Sequence, residues 1–139
     1  IEKIDKKQKP KRFSPHPIYD HYGDLLPKEQ AATQLKLDSD IPYLLFFGFI
    51  RSYKGLDLLL EALADERLKT WNAKLIVAGE FYEDSKSYLD TIERLQLQDR
   101  VILHTSFIPN NEVSLFFSVA DLIIHPYKIT TQKDLAGTP

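Results

Sequence analysis

The chain has 139 residues, a formal net charge of −2 and no cysteine. That length carries one domain with a real core and hardly two. The near-neutral charge removes any global pull toward nucleic acid or an anionic membrane, and the absence of thiols excludes disulfides and thiolate chemistry, which fits a reducing compartment.

No apolar run reaches the ~20 residues of a bilayer-spanning helix, and no secretory leader pattern opens the chain. Methionine is absent even from position 1, so the sequence is expected to start inside a longer protein. Lys3, Lys6, Lys7, Lys9, Lys11 and Arg12 crowd the first dozen residues; they read as a solvated terminus before they read as a nucleic-acid arm. Pro10, Pro15 and Pro17 then punctuate an extended segment that resembles a linker entering a domain.

Pro27 suits the first turn of a short helix running to about Leu37. From there strands and helices alternate. Residues 43–49 are apolar throughout, as in a strand buried on both faces. Leu56, Leu59, Leu60 and Leu63 form one stripe of a helix spanning 56–69. A strand over Lys74–Ala78 precedes a helix over 84–97 with Tyr88, Ile92 and Leu95 on one face, and a third strand follows at Val101–His104. Pro109 and Asn110 offer a stop and an N-cap for a helix whose inward stripe is Val113, Phe116, Phe117 and Ala120. Residues 121–125 close as a fourth strand. This β-α-β-α-β-α-β order predicts an α/β fold, a Rossmann-like parallel sheet with flanking helices.

The loop Gly48-Phe49-Ile50-Arg51-Ser52-Tyr53-Lys54-Gly55 lies between the first strand and its helix. A helix N-terminus offers free N–H groups and a partial positive charge. Arg51 can fork two phosphate oxygens, Lys54 adds a movable point charge, and Gly48 and Gly55 let a ligand approach the backbone. The loop therefore reads as a diphosphate cradle, although exposed cations in such loops are common. Neither a P-loop nor a GxGxxG is present, which counts against simple nucleotide hydrolysis and dinucleotide binding. Ligands of parallel sheets bind beyond the carboxyl ends of the strands. That rule selects Gly48 to Lys54, then Gly79, Glu80, Phe81 and Tyr82, then residues 105–108, then Pro126, Tyr127 and Lys128.

Four segments follow one another in order: GFIRSYKGLDLLLEA from Gly48, LIVAGE from Leu75, VILHTSFI from Val101 and VADLIIHPY from Val119. Over about 14–132 this series resembles the C-terminal, donor-binding domain of group 1 (family 4-like) retaining glycosyltransferases of the GT-B fold. The resemblance implies a hexosyltransferase of polysaccharide, lipopolysaccharide or glycolipid assembly, with a nucleoside-diphosphate sugar of the UDP or GDP type as donor substrate, no cofactor and no metal. Gly48, Arg51 and Lys54 would hold the donor diphosphate. Gly79, Glu80, Phe107, Ile108, Pro126, Tyr127, Thr131 and Gln132 are further donor-site candidates. Residues 1–17 would be a basic, Pro-rich linker from a preceding N-terminal domain that binds the saccharide or glycolipid acceptor. Residues 18–139 would be a donor-binding domain, incomplete at its C-terminus and inactive alone. The parent protein is then expected in the cytoplasm, peripherally associated with the inner face of the membrane. One departure stands out. The family's Glu-x₇-Glu element is replaced by a run containing Thr131-Gln132, so its sugar and ribose contacts do not carry over.

The other polar candidates have plainer readings. His16, His21, His104 and His125 share no metal spacing; His104 and His125 end strands and read as structural histidines. Asp57 reads as a helix-dipole partner, Asp121 as the residue fixing the start of its strand, Trp71 as a packing cap, and Phe116-Phe117 as core. Glu80 reads equally as a ligand contact and as a solvated carboxylate. The alternative to the enzyme is a non-catalytic Rossmann-like domain using the same basic loop for a phosphate or a partner.

Overall fold

The computed structural model describes residues 21–128, together with Arg12 and Pro15. Most of the linker 1–17, His16, Thr131 and Gln132 lie outside the described residues.

Four parallel strands form one sheet in the order β3-β2-β1-β4: β1 Tyr43–Phe47, β2 Lys74–Ala78, β3 Val101–His104 and β4 Leu122–Ile123. The connecting helices are α2 Leu56–Leu63, α3 Lys86–Arg94 and α4 Asn110–Val119, and α1 Lys28–Leu35 precedes β1. The expected Rossmann-like α/β sheet is what forms.

Alternation of side chains along the two central strands divides the core into two layers. Leu44 and Phe46 of β1, with Leu75 and Val77 of β2, face Leu56, Leu59, Leu60 and Leu63 of α2 and Tyr88 and Ile92 of α3. Tyr43 and Leu45, with Ile76 and Ala78, face Ala31 and Ala32 of α1 and Phe116 and Val119 of α4. Burial on both faces is why these strands read as continuous apolar runs.

Several element ends differ from the sequence expectation, each for a local reason. Strand β1 stops at Phe47 because Gly48 turns the chain at φ +92°. Phe49 is thereby turned outward, about half exposed, while Ile50 is fully buried. Helix α2 ends at Leu63 rather than near Lys69, because Asp65 takes the Arg67 amide on its side chain at 2.9 Å and opens a separate 3₁₀ turn, Glu66–Leu68. Pro27 is the residue before α1, not inside it. The inward stripe of α4 runs through Val113, Phe116 and Val119; Ala120 already lies beyond the helix in extended backbone, and Phe117 is only partly buried. Both residues of β4 are about half exposed, as befits a short edge strand.

Candidate functional site

The carboxyl ends of β1 and β2 are pressed together by two glycines. The Gly48 amide donates to the Ala78 carbonyl at 2.9 Å, and the Gly79 amide to the His104 carbonyl at 2.9 Å. Gly79 sits at φ +134°, and a Cβ there would lie 2.4 Å from the Gly48 oxygen, an approach open to glycine alone. Beyond the glycines the two loops pair again. The Ile50 amide donates to the Glu80 carbonyl at 2.8 Å, and the Tyr82 amide returns to the Ile50 carbonyl at 3.0 Å.

This pairing carries Arg51 outward in extended backbone, with its guanidinium 4.0 Å from the Tyr82 ring centroid. Its Nε is buried without a hydrogen-bond partner. Ser52–Lys54 then winds into a 3₁₀ turn, and Gly55 reverses into the left-handed region to start α2. The turn brings the Lys54 ammonium back over Gly48, 3.1 Å from where a Cβ on that glycine would stand. Burial first, and Arg51 second, hold the Lys54 pKa below the ordinary lysine value. Among the described residues no carboxylate pairs with either cation. Two converging positive charges with no internal counter-ion make a site for an anion.

The fourth strand's loop closes one side of this arrangement. The Pro126 carbonyl packs on Gly55, where a Cβ would meet it at 2.1 Å. The Lys128 amide donates to the Tyr53 carbonyl at 2.8 Å, and the rings of Tyr53 and Tyr127 lie 5.9 Å apart. Asp57 stands in the first turn of α2, and it does more than complement the helix dipole: its Oδ2 accepts from the Lys128 ammonium at 2.6 Å.

On the other side of Gly48 lies an open hollow of about 200 Å³. Gly48, Gly79, Glu80, Phe107 and Ile108 line it together, along with Asn110. Phe107 is two-thirds exposed, its ring presented at the rim. Asn110 does not cap α4, as its position suggested. It is the first helical residue, with Pro109 in the capping place and no side-chain cap bond, which leaves its amide at the hollow. The site therefore has two halves hinged at Gly48: a cationic loop toward β4 and a partly apolar hollow toward β3. Pro126 and Tyr127 belong to the first, Glu80, Phe107 and Ile108 to the second. The strand-end rule selects the stretches holding Phe49 and Tyr82, but not the stacking of Tyr82 on Arg51, and the sequence reads Asn110 only as an N-cap and not as part of the hollow.

The histidines read as structural are so placed. His125 Nε2 donates to the Phe47 carbonyl at 2.9 Å, with its ring 5.4 Å from Phe46. His104 packs edge-on against Phe116 at 5.1 Å, and burial lowers its pKa. Asp121 fixes the strand starts, accepting from the Tyr43 amide at 2.7 Å and from Lys28 at 2.7 Å. Trp71 is 40% exposed beside the apolar groove of α2 and β4, and so only partly a packing cap. Among the described residues no three His, Cys, Asp or Glu side chains gather as metal ligands, and no helix is long and apolar enough to cross a membrane.

Comparison with known proteins places this geometry in a family. The sequence profile of the glycosyl transferases, group 1, matches residues 27–129. The chain is 29% identical over 108 residues to a lipopolysaccharide 1,2-N-acetylglucosaminetransferase of Salmonella typhimurium, covering 74% of this chain and 28% of that protein. It superposes on WaaG, a glycosyltransferase involved in lipopolysaccharide biosynthesis, with a TM-score of 0.66 and 27% identity, over 81% of this chain and 30% of that one. HepE of Anabaena, solved with UDP and glucose, shares the fold at a TM-score of 0.57 and 20% identity, over 72% of this chain and 26% of that one. The chain thus spans about three tenths of the length of these relatives. With its profile match covering most of the sequence, its parallel Rossmann-like sheet and its ordered loop segments, the chain belongs to the group 1 glycosyl transferases of the GT-B fold.

Proposed function

We propose that this chain is the donor-binding part of a glycosyltransferase that moves a hexosyl group from a nucleoside-diphosphate sugar to a saccharide or lipid-linked acceptor. The observation that carries the reading is the pair of unpaired cations, Arg51 and Lys54, converging beside Gly48. As the glycosidic bond to the donor breaks, negative charge develops on the departing nucleoside diphosphate. Donors already in place where that charge appears stabilise the transition state more than the ground state. Arg51 is suited to fork two oxygens, and Lys54 to supply a compact charge that burial leaves short of a partner. The two together take over the neutralising role a divalent ion would otherwise fill, so donor binding is proposed to need no metal and no cofactor.

In the same reading the hollow lined by Gly79, Glu80, Phe107, Ile108 and Asn110 receives the nucleoside, and Pro126 and Tyr127 border the sugar side. Thr131 and Gln132, in the run where the family's Glu-x₇-Glu element does not carry over, remain further candidates for that border. HepE, which shares the fold, was solved with UDP-glucose, so UDP is the first nucleotide to try and GDP the second. The acceptor would be held by a separate N-terminal domain of the parent protein, preceding the linker. The relatives named for lipopolysaccharide synthesis support a saccharide or glycolipid acceptor; the parent protein is proposed to work in the cytoplasm at the inner membrane face.

The test is calorimetric titration with UDP and GDP of the parent chain and of an Arg51→Ala, Lys54→Ala double variant. Each charge-assisted bond lost should cost about 1.5–3 kcal/mol, so the variant should bind at least tenfold more weakly. A folded double variant that binds both nucleotides as well as its parent refutes the donor site and leaves a non-catalytic Rossmann-like module.

A further inference from the structure

We infer that Tyr82 is a positioning residue, the platform that holds Arg51 in its anion-binding pose. The inference rests on the donor-site reading above and concerns how that site is kept ready. The backbone fixes the relation between the two residues from both sides. The Ile50 amide to the Glu80 carbonyl (2.8 Å) and the Tyr82 amide to the Ile50 carbonyl (3.0 Å) bracket a single parallel bridge between Ile50 and Phe81. Side-chain alternation does the rest. Phe81 turns inward, packs against the core and lies 5.6 Å from the Tyr88 ring. Its neighbour Tyr82 must then turn outward, and the residue is 65% exposed. An aromatic ring that exposed is not there to fill the core. One face is occupied: the Arg51 guanidinium lies 4.0 Å from its centroid.

The choice of an aromatic partner matters chemically. A carboxylate at this place would neutralise Arg51 and compete with a diphosphate. A ring face attracts the cation through its quadrupole while leaving the guanidinium edge, with its forked N–H donors, open to oxygens. Holding the long side chain in one pose also removes rotamer entropy that an anion would otherwise have to overcome on binding. A further tie, Ser52 Oγ donating to Glu83 Oε1 at 3.4 Å, spans the same two loops beside this contact.

The experiment has a ligand-free and a ligand-bound arm, both on the intact chain. In the free protein the Arg51 Hε resonance should be shifted upfield by the Tyr82 ring current. Tyr82→Phe should keep the shift and Tyr82→Ala should abolish it. Titration with UDP and GDP should then show Tyr82→Ala weakening the nucleotide that binds by roughly two- to fivefold, the effect of one exposed cation–π contact, with Tyr82→Phe unchanged. In an Arg51→Ala background the Tyr82→Ala change should have no further effect. Equal losses in both backgrounds would mean that Tyr82 touches the ligand itself, and an unshifted Hε would mean that the stack does not form; either overturns the inference. If Arg51→Ala weakens binding and Tyr82→Ala does not, positioning fails while the donor site stands. If Arg51→Ala changes nothing, it is the donor-site reading that falls.

Discussion

Lys54 carries its charge in an environment that disfavours it. Burial and the neighbouring Arg51 both disfavour its charged form, so its folded pKa lies below the unfolded value. For a lysine the sign follows directly. Between the two pKa values the unfolded chain binds more protons, so the charged ammonium costs the fold stability below the folded pKa, and that cost fades as pH rises from the folded value toward the unfolded one. Ligand binding runs the other way. A bound diphosphate stabilises the ammonium, so affinity should fall once the free protein's Lys54 begins to lose its proton, earlier than an ordinary lysine would. The check is UDP or GDP affinity across the alkaline range in the parent and in Lys54→Arg, whose guanidinium keeps its charge. The variant should lose the alkaline decline. An identical decline in both proteins would remove Lys54 from the site.

At the scale of elements, the site depends on how closely the ends of β1 and β2 can approach. Gly79→Ala would place a methyl 2.4 Å from the Gly48 oxygen at a φ of +134° that alanine does not tolerate. The loops must part, and with them the bridge between Ile50 and Phe81. Unfolding in denaturant should show a loss of about 1–3 kcal/mol, and nucleotide affinity should fall in the protein that does fold. An unchanged midpoint would mean that the two loops are not locked together. The same contacts explain what the sequence made legible. Leu44, Phe46, Leu75 and Val77 announce buried strands, and Leu56, Leu59, Leu60 and Leu63 a helix, because burial follows the period of each element. Arg51 and Lys54 were legible because charge, glycine and a helix start coincide within eight residues. The end of β1 was not, since Phe49 and Ile50 continue the apolar run past a turn that only the positive φ of Gly48 reveals. Nor was the stacking of Tyr82 on Arg51, or Asn110's place at the hollow: the strand-end rule marks where Tyr82 lies but not its partner, which is distant in sequence. The donor-site reading itself came from the order of loops along the chain, which local periodicity does not carry.

For the molecule as a whole, the layer that covers one face of the sheet is closed by α1, an element its own sequence scarcely advertises. It buries only Ala31 and Ala32, and its remaining residues are largely polar. What holds it is a chain of ties to the far end of the fold. The Leu26 amide donates to Ser118 Oγ at 2.9 Å, and Lys28 reaches both the Ile41 carbonyl at 3.0 Å and Asp121. Asp121 in turn accepts from the Tyr43 amide, so one carboxylate joins α1, β1 and the start of β4. Burial works to raise its pKa, but the bonds from Lys28 and Tyr43 together outweigh it and hold it below the usual carboxylate range. That tie is therefore complete at neutral pH and is lost as pH falls through the depressed value. A chain begun at Pro42 would keep all four strands and both cations of the site. It would also uncover the face formed by Tyr43, Leu45, Phe116 and Val119. Part-exposing four such side chains costs several kcal/mol at the usual ~1.5–3 kcal/mol for each fully buried one, against a total stability on the order of 5–15 kcal/mol. Thermal unfolding of the shortened chain should lose its cooperativity, with dye binding to the bared face, and nucleotide affinity should vanish although Tyr22 is the one residue lining the hollow that has been removed. A sharp transition near the parent's midpoint would show instead that α1 is an ornament on a sheet able to stand without it.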